Sequence, residues 1–253
     1  MSSKRSVCFL IFLPTIKQLL SKALMPVGHT MYVYGGGWNA EDTGAGDEAR
    51  SIGVQEVWEK FFMGCTKDYD YKNFKFCTSL GLDCTGYIGW CIYNLLNTEN
   101  GHAGFVFPSG QLGTKLSELG LGAVEPSECV KTHECGDIFF SEKFRHAYIS
   151  VGEYDDGSVL ILHSSPPGVM ISGTAAASED GRSMAQFHAQ ELMKTYFPDW
   201  YLKYPISDRG KDYLNDYDRF IFYKAVVRDI GFPGEKEPHK ILWEILKEKN
   251  IAF

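Results

Sequence analysis

The sequence lacks the residue spacings that bind structural metals. Its seven cysteines form no Cys-x2-Cys pair, and its seven histidines include no His-x3-His or His-Glu-x2-His pattern. Such patterns hold zinc in small structural and catalytic sites. We therefore expect no metal and no other cofactor. An odd number of cysteines also cannot pair completely within one chain.

Positive charge and long apolar runs are scarce as well. Lys and Arg number 25 against 32 Asp and Glu, which gives a net charge of -7 at pH 7. Nucleic acids and anionic lipids attract proteins with a positive field, so neither is an expected partner. The apolar run at residues 7–13 is far too short to cross a bilayer, and we expect no integral membrane segment.

The same apolar run leaves the compartment open. Because Lys4 and Arg5 precede it, the run resembles a weak secretion signal, although no A-x-A cleavage site follows closely. The favoured interpretation is a buried segment that leads into a helix at residues 15–24. The protein is therefore expected either in the cell envelope or outside the cell, or in the cytoplasm, and its oligomeric state is left open.

The order of the remaining patterns predicts an α+β fold with one core. The chain has 253 residues, of which 44% are hydrophobic, enough for one sizeable core. Helical patterns come first, and residues 85–96 are apolar on almost every face, which is typical of a buried helix. Short β-prone runs follow at residues 137–140, 147–151, 159–163, 169–171 and 220–227, with a further helix at 183–196.

Cys84 is the candidate nucleophile. In the string Leu82-Asp83-Cys84-Thr85-Gly86 it stands where an extended segment meets the buried helix. The free N–H groups and the positive end of a helix dipole favour a thiolate there, and the same amides can hold an oxyanion. The alternative is a small buried hydrophobic residue, as most free cysteines are, and Cys91 within the same helix fits that description better.

A thiolate nucleophile needs an imidazole base. His146 opens one predicted strand and His163 closes the next, whereas the other five histidines lie in less suitable contexts. A two-residue loop at Asp156-Gly157 would separate the two imidazoles by roughly 13 Å along the strand. A loop centred near residues 154–155 would place them directly opposite each other, roughly 5 Å apart. We predict the second register, with His163 bonding His146 and fixing its tautomer.

Five ordered strings resemble the NlpC/P60 family of papain-like cysteine peptidases. They are Met31-Tyr32-Val33-Tyr34-Gly35-Gly36, Asp83-Cys84-Thr85-Gly86, Gly136-Asp137-Ile138-Phe139-Phe140, His146-Ala147-Tyr148-Ile149 and the single residue His163. The resemblance implies a papain-like core in which a helix bearing Cys84 lies on an antiparallel sheet. It also implies that Cys84 attacks, His146 transfers the proton and His163 orients His146.

The resemblance further implies a substrate. Tyr32 matches a tyrosine near the nucleophile, and Asp83 and Thr85 match positions that contact the free amino end of a peptidoglycan stem peptide. The expected partner is thus a stem peptide or muropeptide, cut between D-glutamate and the diamino acid. The alternative is an amidase or acyltransferase of the same fold acting on another amide or on a thioester.

Two segments depart from the family pattern. We expect a single catalytic domain at residues 1–228 that carries a long insertion at about 38–82, and a C-terminal helical extension at 229–253. The insertion either caps the cleft or lies on a remote surface, and the sequence favours neither arrangement. The extension carries an amphipathic helix that includes Ile241, Leu242, Ile245 and Leu246.

Overall fold

The computed structural model describes residues 13–96, 103–176, 181–228 and 237–248. The helices in these ranges are α1 Ile16–Ala23, α2 Glu56–Gly64, α3 Cys84–Leu96, α4 Leu112–Glu118, α5 Met184–Tyr196, α6 Pro198–Lys203 and α7 Pro238–Glu248. The strands are β1 Met31–Tyr32, β2 Gly81–Leu82, β3 Gly122–Glu125, β4 Ile138–Ser141, β5 His146–Glu153, β6 Val159–Ser165, β7 Gly168–Thr174, β8 Asp208–Arg209 and β9 Asp218–Phe222.

The strands form one nine-stranded, mostly antiparallel sheet. Its order is β2-β1-β7-β6-β5-β4-β9-β3, and β8 pairs with β7 off this path. Strands β4 to β7 are consecutive antiparallel neighbours, as the predicted meander requires. Only the short pairs β1–β2 and β7–β8 are parallel. The mixed α+β architecture predicted from the sequence is confirmed.

Helix α3 lies at the centre of the core, as its apolar pattern predicts. Every residue from Cys84 to Leu95 is buried, and the helix packs on β5, β6 and α1. The Tyr87 hydroxyl donates to the Ala23 carbonyl at the end of α1, at 2.8 Å. Because α3 is buried from Cys84 to Leu95, its first residue is held in place by the packing of the helix in the core.

The N-terminal and C-terminal helices are joined to each other. Thr15 caps α1 through a reciprocal capping box with Gln18, which fixes the start of the helix where the sequence predicts it. Lys17 then reaches across to Glu244 and Glu248 of α7. The apolar side of α7 enters the main core through Ile241, Leu242, Ile245 and Leu246. The predicted C-terminal helix therefore shares one core with the elements before it.

Several sequence expectations differ from the structure. The last strand spans Asp218–Phe222 and not 220–227, because Arg219 is held beside Asp137 while the chain turns after Phe222. Helices α4 and α6 and strand β3 were not foreseen, since each is short and lacks a clear period. Most of the apolar run at 7–13 lies outside the described residues.

No helix within the described ranges is both long and apolar enough to cross a membrane.

Candidate active site

A glycine-rich turn brings the start of α3 against the end of β1. Strands β1 and β2 pair so that Tyr32 lies beside Leu82. The Asp83 N–H donates to the Gly36 carbonyl at 3.0 Å, and a Cβ at Gly86 would lie 2.0 Å from the same carbonyl oxygen. Only glycine allows this approach of two main chains. The two main chains are therefore fixed against each other at Gly36, and Cys84 lies within this fixed contact.

Asp83 caps the N-terminus of α3, the helix that follows it. Its Oδ1 accepts from the Gly86 N–H at 2.7 Å and from the Thr85 hydroxyl at 3.2 Å, the arrangement of a helix cap. Burial raises the pKa of this carboxyl to about 6, although donors from Gly86, Thr85, Gly35 and Trp38 favour the charged form. The role in substrate binding expected for Asp83 and Thr85 stays a prediction.

The Cys84 thiol lies against the first residues of β5. It donates to the Arg145 carbonyl at a distance of 3.8 Å. Burial, with the nearby charge of Asp83, raises the pKa of the thiol to about 12. The N–H groups of Ala147, Thr85 and Cys84 itself act in the opposite direction and favour the thiolate. The thiol thus sits between the two main-chain neighbours of His146.

His146, His163 and Ser172 form a hydrogen-bonded row across β5, β6 and β7. The His146 Nε2 lies 3.0 Å from the His163 Nδ1, and the His163 Nε2 lies 3.0 Å from the Ser172 Oγ. Burial lowers the pKa of His146 to about 3 and the pKa of His163 well below its usual value, and Arg209 adds to both effects. Both rings are therefore neutral at pH 7, and the predicted contact between them is confirmed.

The hairpin register behind this contact differs from the prediction. Ile149 pairs with Leu162, so Tyr148 and not His146 stands across from His163. The two imidazoles meet diagonally, with ring centroids 5.2 Å apart. The loop is centred between the predicted position near residues 154–155 and the alternative at Asp156-Gly157, because a register shift between Ser150 and Gly152 adds one residue to β5.

One ring nitrogen of His146 is left for chemistry. Its Nε2 faces His163, so Nδ1 is the atom that can exchange a proton with the thiol. Within the described residues, no hydrogen bond joins the Cys84 thiol to the His146 ring. Catalytic hydrogen bonds are often long or poorly aligned before a substrate is bound.

A cleft of about 600 Å³ opens over Cys84. Its lining includes the three residues expected to bind substrate, Tyr32, Asp83 and Thr85. The other residues that line it are Tyr34, Gly35, Trp38, Asp42, Pro108, Ser109, Gly110, Gln111, Glu142 and Arg145. Three carboxyl groups against one guanidinium make the lining acidic on balance.

The segment at residues 38–82 forms part of this cleft. Tyr71 packs its ring edge-on against Tyr32, with centroids 5.3 Å apart, and the Tyr69 hydroxyl donates to the Tyr32 carbonyl at 2.6 Å. Trp38 and Asp42 from the same segment line the cleft directly. Part of the segment therefore borders the cleft, so the segment as a whole does not lie on a remote surface.

Some residues of the site were missed by reasoning from the sequence. Ser172 bonds His163, and Tyr213 lies against both imidazoles with centroids 5.3 Å and 5.7 Å away. Alternation along β7 places Ser172 and Met170 on one face, and a correct register would have brought that face to His163. Tyr213 lies on a short 3-10 turn at Lys211–Leu214, which has no periodic signal.

Comparison with protein-family models, curated proteins and solved structures gives no match. The described residues also contain no cluster of three or more His, Cys, Asp or Glu side chains able to hold a metal ion.

Proposed function

We propose that the protein is a cysteine hydrolase that cuts an amide bond through an acyl-enzyme, on a papain-like core of the NlpC/P60 type. The observation that carries the proposal is the row of His146, His163 and Ser172 beside the Cys84 thiol. A thiol at the start of a buried helix lies against the main chain on either side of an imidazole, and a second imidazole bonds that ring. These contacts support Cys84, His146 and His163 as nucleophile, base and orienting group, the three parts that thiol catalysis uses.

The tautomers follow from the direction of the hydrogen bonds. For His146 to accept a proton at Nδ1, its Nε2 must carry hydrogen and donate to the His163 Nδ1. The His163 Nε2 then carries hydrogen and donates to the Ser172 Oγ, at the observed 3.0 Å. The distances in the row fit the neutral form of His146 that can act as a base towards Cys84.

The reaction then proceeds in two steps. The Cys84 sulfur bonds to the substrate carbonyl carbon as its proton passes to the His146 Nδ1, and the C–N bond breaks when that proton reaches the leaving amine. Water next attacks the thioester, giving its proton to the His146 Nδ1, and the C–S bond breaks as the thiol is regenerated. The free N–H groups at the start of α3 are suited to stabilise the oxyanion in both steps.

The proposed substrate is a peptidoglycan stem peptide, cut between D-glutamate and the diamino acid. Two considerations support it: the resemblance of the ordered strings, and the acidic lining contributed by Asp42, Asp83 and Glu142. Such a lining favours a free ammonium group over a carboxylate. Arg145 at the same cleft supplies a place for one acidic group of the peptide.

The direct test is to incubate the protein with a muropeptide that carries the D-glutamyl-diamino acid bond and follow the fragments by mass spectrometry. Wild type should cleave it and Cys84→Ala should not. Cys91→Ala is the matched control, because Cys91 lies in the same helix, fully buried, and should keep activity. An absence of cleavage by wild type, or equal cleavage by Cys84→Ala, would refute the proposal.

Two further arms define the substrate and the outcome. Acetylating the amino end of the peptide should weaken binding, seen as a higher KM, if the acidic lining holds an ammonium group. Adding an amine acceptor separates hydrolysis from acyl transfer, since transfer gives a product heavier by the acceptor. A dominant transfer product would replace hydrolysis as the proposed reaction while leaving Cys84 as the nucleophile.

A further inference from the structure

Tyr213 lies between the imidazole pair and a cluster of aromatic side chains. Its ring is T-shaped to His146 and to His163, at angles of 66° and 82°. On its other sides lie the rings of Tyr148 at 5.9 Å and Tyr217 at 6.1 Å. Its carbonyl accepts from the Tyr148 hydroxyl at 2.7 Å. The ring of Tyr213 therefore has little freedom to move away from the two imidazoles.

Arg209 stands behind Tyr213 on β8. It pairs with Thr174 of β7, which places it on the same face as Ser172 and Met170. Its Nη2 contacts the Met170 sulfur at 3.2 Å, and Met170 is the direct partner of His163 across β6 and β7. Its guanidinium also bonds the Tyr213 side chain. A cation thus lies beside the imidazole pair, on the side of β7 and β8.

This guanidinium has few partners that would neutralise it. Its Nη1 donates to the Asp208 carbonyl at 2.9 Å, and its buried Nε has no hydrogen-bond partner among the described residues. Among the residues that the structure describes, no carboxylate lies within ion-pair distance of the Arg209 guanidinium. Asp208 pairs with Arg182 at 3.5 Å instead. The field of Arg209 at the imidazoles is therefore weakly compensated.

We propose that Arg209 and Tyr213 are positioning residues of the His146–His163 pair. Tyr213 fixes the planes of both rings, and the Arg209 guanidinium opposes a positive charge on either of them. The inference rests on the proposed role of His146 as the base, which it deepens. A base that stays neutral to low pH is available over a wider pH range, while its lower pKa makes it a weaker acceptor of the thiol proton.

The other charged and titratable groups around the pair act less directly. From α3, Cys84 faces it as a neutral thiol, since burial raises the pKa of that thiol. From the turn after β8, Asp212 acts on Arg209 and Tyr213, and from β8 itself Asp208 acts on Arg209. The hydroxyl of Ser172 on β7 is uncharged. Arg209 is thus the cation that acts on both imidazoles, and it lowers the pKa of each.

The test is a titration of the imidazoles by nitrogen-15 NMR in the full-length Cys84→Ala protein. Arg209→Met removes the charge and keeps much of the side-chain volume. The titration midpoint of His146 should rise by about one to two pH units, the usual effect of one nearby charge on a partly buried group. Arg209→Lys should restore most of the wild-type midpoint. Arg182→Met, which removes an exposed arginine bonded to Asp208, should leave the midpoint unchanged.

The role of Tyr213 is tested separately, by the tautomers of the two imidazoles. Tyr213→Phe keeps the ring and should keep one tautomer at each imidazole, whereas Tyr213→Leu should give nitrogen shifts averaged between two tautomers. An unchanged midpoint in Arg209→Met, or an equal rise in Arg182→Met, would overturn the electrostatic role. A single tautomer in Tyr213→Leu would overturn the role of the ring. If Arg209→Met does not fold, Arg209→Gln provides the same comparison.

Activity adds a second readout that separates this inference from the proposed function. In active protein, the acidic limb of the kcat profile should move to higher pH in Arg209→Met, because the base becomes protonated sooner as the pH falls. The imidazole titration needs no substrate. It can therefore fail while the muropeptide is cleaved, or succeed while no cleavage is seen.

Discussion

Removing the hydroxyl of Ser172 tests the hydrogen-bonded row at the point farthest from the thiol. His163 and Ser172 are both fully buried, and the His163 Nε2 lies 3.0 Å from the Ser172 Oγ. Ser172→Ala leaves that nitrogen without its acceptor in a region that water does not reach. A buried donor left unpaired costs about 1–3 kcal/mol.

Loss of the Ser172 hydroxyl also changes which tautomers His163 and His146 adopt. Without Ser172, His163 can move its hydrogen to Nδ1 and donate to His146, which forces hydrogen onto the His146 Nδ1. That form of His146 cannot accept a proton from Cys84. A bias of about 1–3 kcal/mol towards it lowers the competent fraction, and hence kcat, by roughly 5- to 150-fold, since 1.36 kcal/mol is a factor of ten.

The assay combines kinetics with unfolding. We expect Ser172→Ala to lose kcat with little change in KM, and to lose about 1–3 kcal/mol of unfolding free energy in urea. Ser150→Ala is the matched control: Ser150 is also fully buried on the sheet, but its hydroxyl donates to the His133 carbonyl at 3.3 Å. It should lose stability and keep kcat. Equal kcat in Ser172→Ala and wild type would refute the orienting role of the row.

Three other outcomes follow from the site. Burial raises the pKa of the Cys84 thiol to about 12, so the rate of its modification by iodoacetamide should increase from pH 7 to pH 10 when mapped by mass spectrometry. A rate that is already constant from neutral pH would instead mean a preformed thiolate–imidazolium pair. The folded pKa of Asp83, about 6, is raised above its usual 3.8, so its contribution to stability is present below pH 3.8 and is lost as the pH rises through 6. Asp83→Asn should flatten that part of the unfolding profile, and an unchanged profile would contradict the shift. Gly86→Ala places a Cβ 2.0 Å from the Gly36 carbonyl oxygen and should lower the free energy of unfolding in urea by about 3 kcal/mol. Gly64→Ala, whose Cβ meets nothing within 4 Å, should leave that free energy unchanged or raise it by up to about 1 kcal/mol. Equal stability of the two variants would refute the close crossing of the main chains.

The sequence was most informative where one local pattern decides the structure. The unbroken apolar character of residues 85–96 predicted a buried helix, and α3 is one. Alternation along β5 put His146, Tyr148 and Ser150 on one face, whereas the pairing with β6 decided whether His163 joined them. These features depend on helix and strand periods, which are local properties of the chain.

Register was harder to predict, because it depends on how a loop closes. The Tyr154 N–H donates to the Ser158 carbonyl and the Gly157 N–H to the Tyr154 carbonyl, each at 2.8 Å, which makes a five-residue connection between Glu153 and Val159. The Asp156 carboxyl holds Ser158 as well. The Asp-Asp-Gly string marks a turn correctly, but several loops of similar length satisfy it.

Arg209 and Tyr213 could not be foreseen at all. They belong to a two-residue strand and a four-residue turn, and neither has a period to detect. They reach the imidazoles only because β8 adds to β7, a pairing between segments about thirty-five residues apart in the chain. Such contacts are set by tertiary structure and leave no mark on the local sequence.

The pairing of β1 with β2 has a consequence for how such a protein can change over time. The segment that starts after Tyr32 and returns at Leu82 begins and ends at adjacent positions of the sheet. The entropy of closing a flexible loop rises slowly with its length, by about 0.6 kcal/mol for each doubling. This tolerance applies to the exposed turn at residues 40–43 and not to the whole segment, because Gly36 makes the crossing with α3 and Trp58 and Phe62 lie in the main core. Asp42 of that turn lines the cleft, so a change in the length of the turn would alter the shape of the cleft while the position of Cys84 is kept.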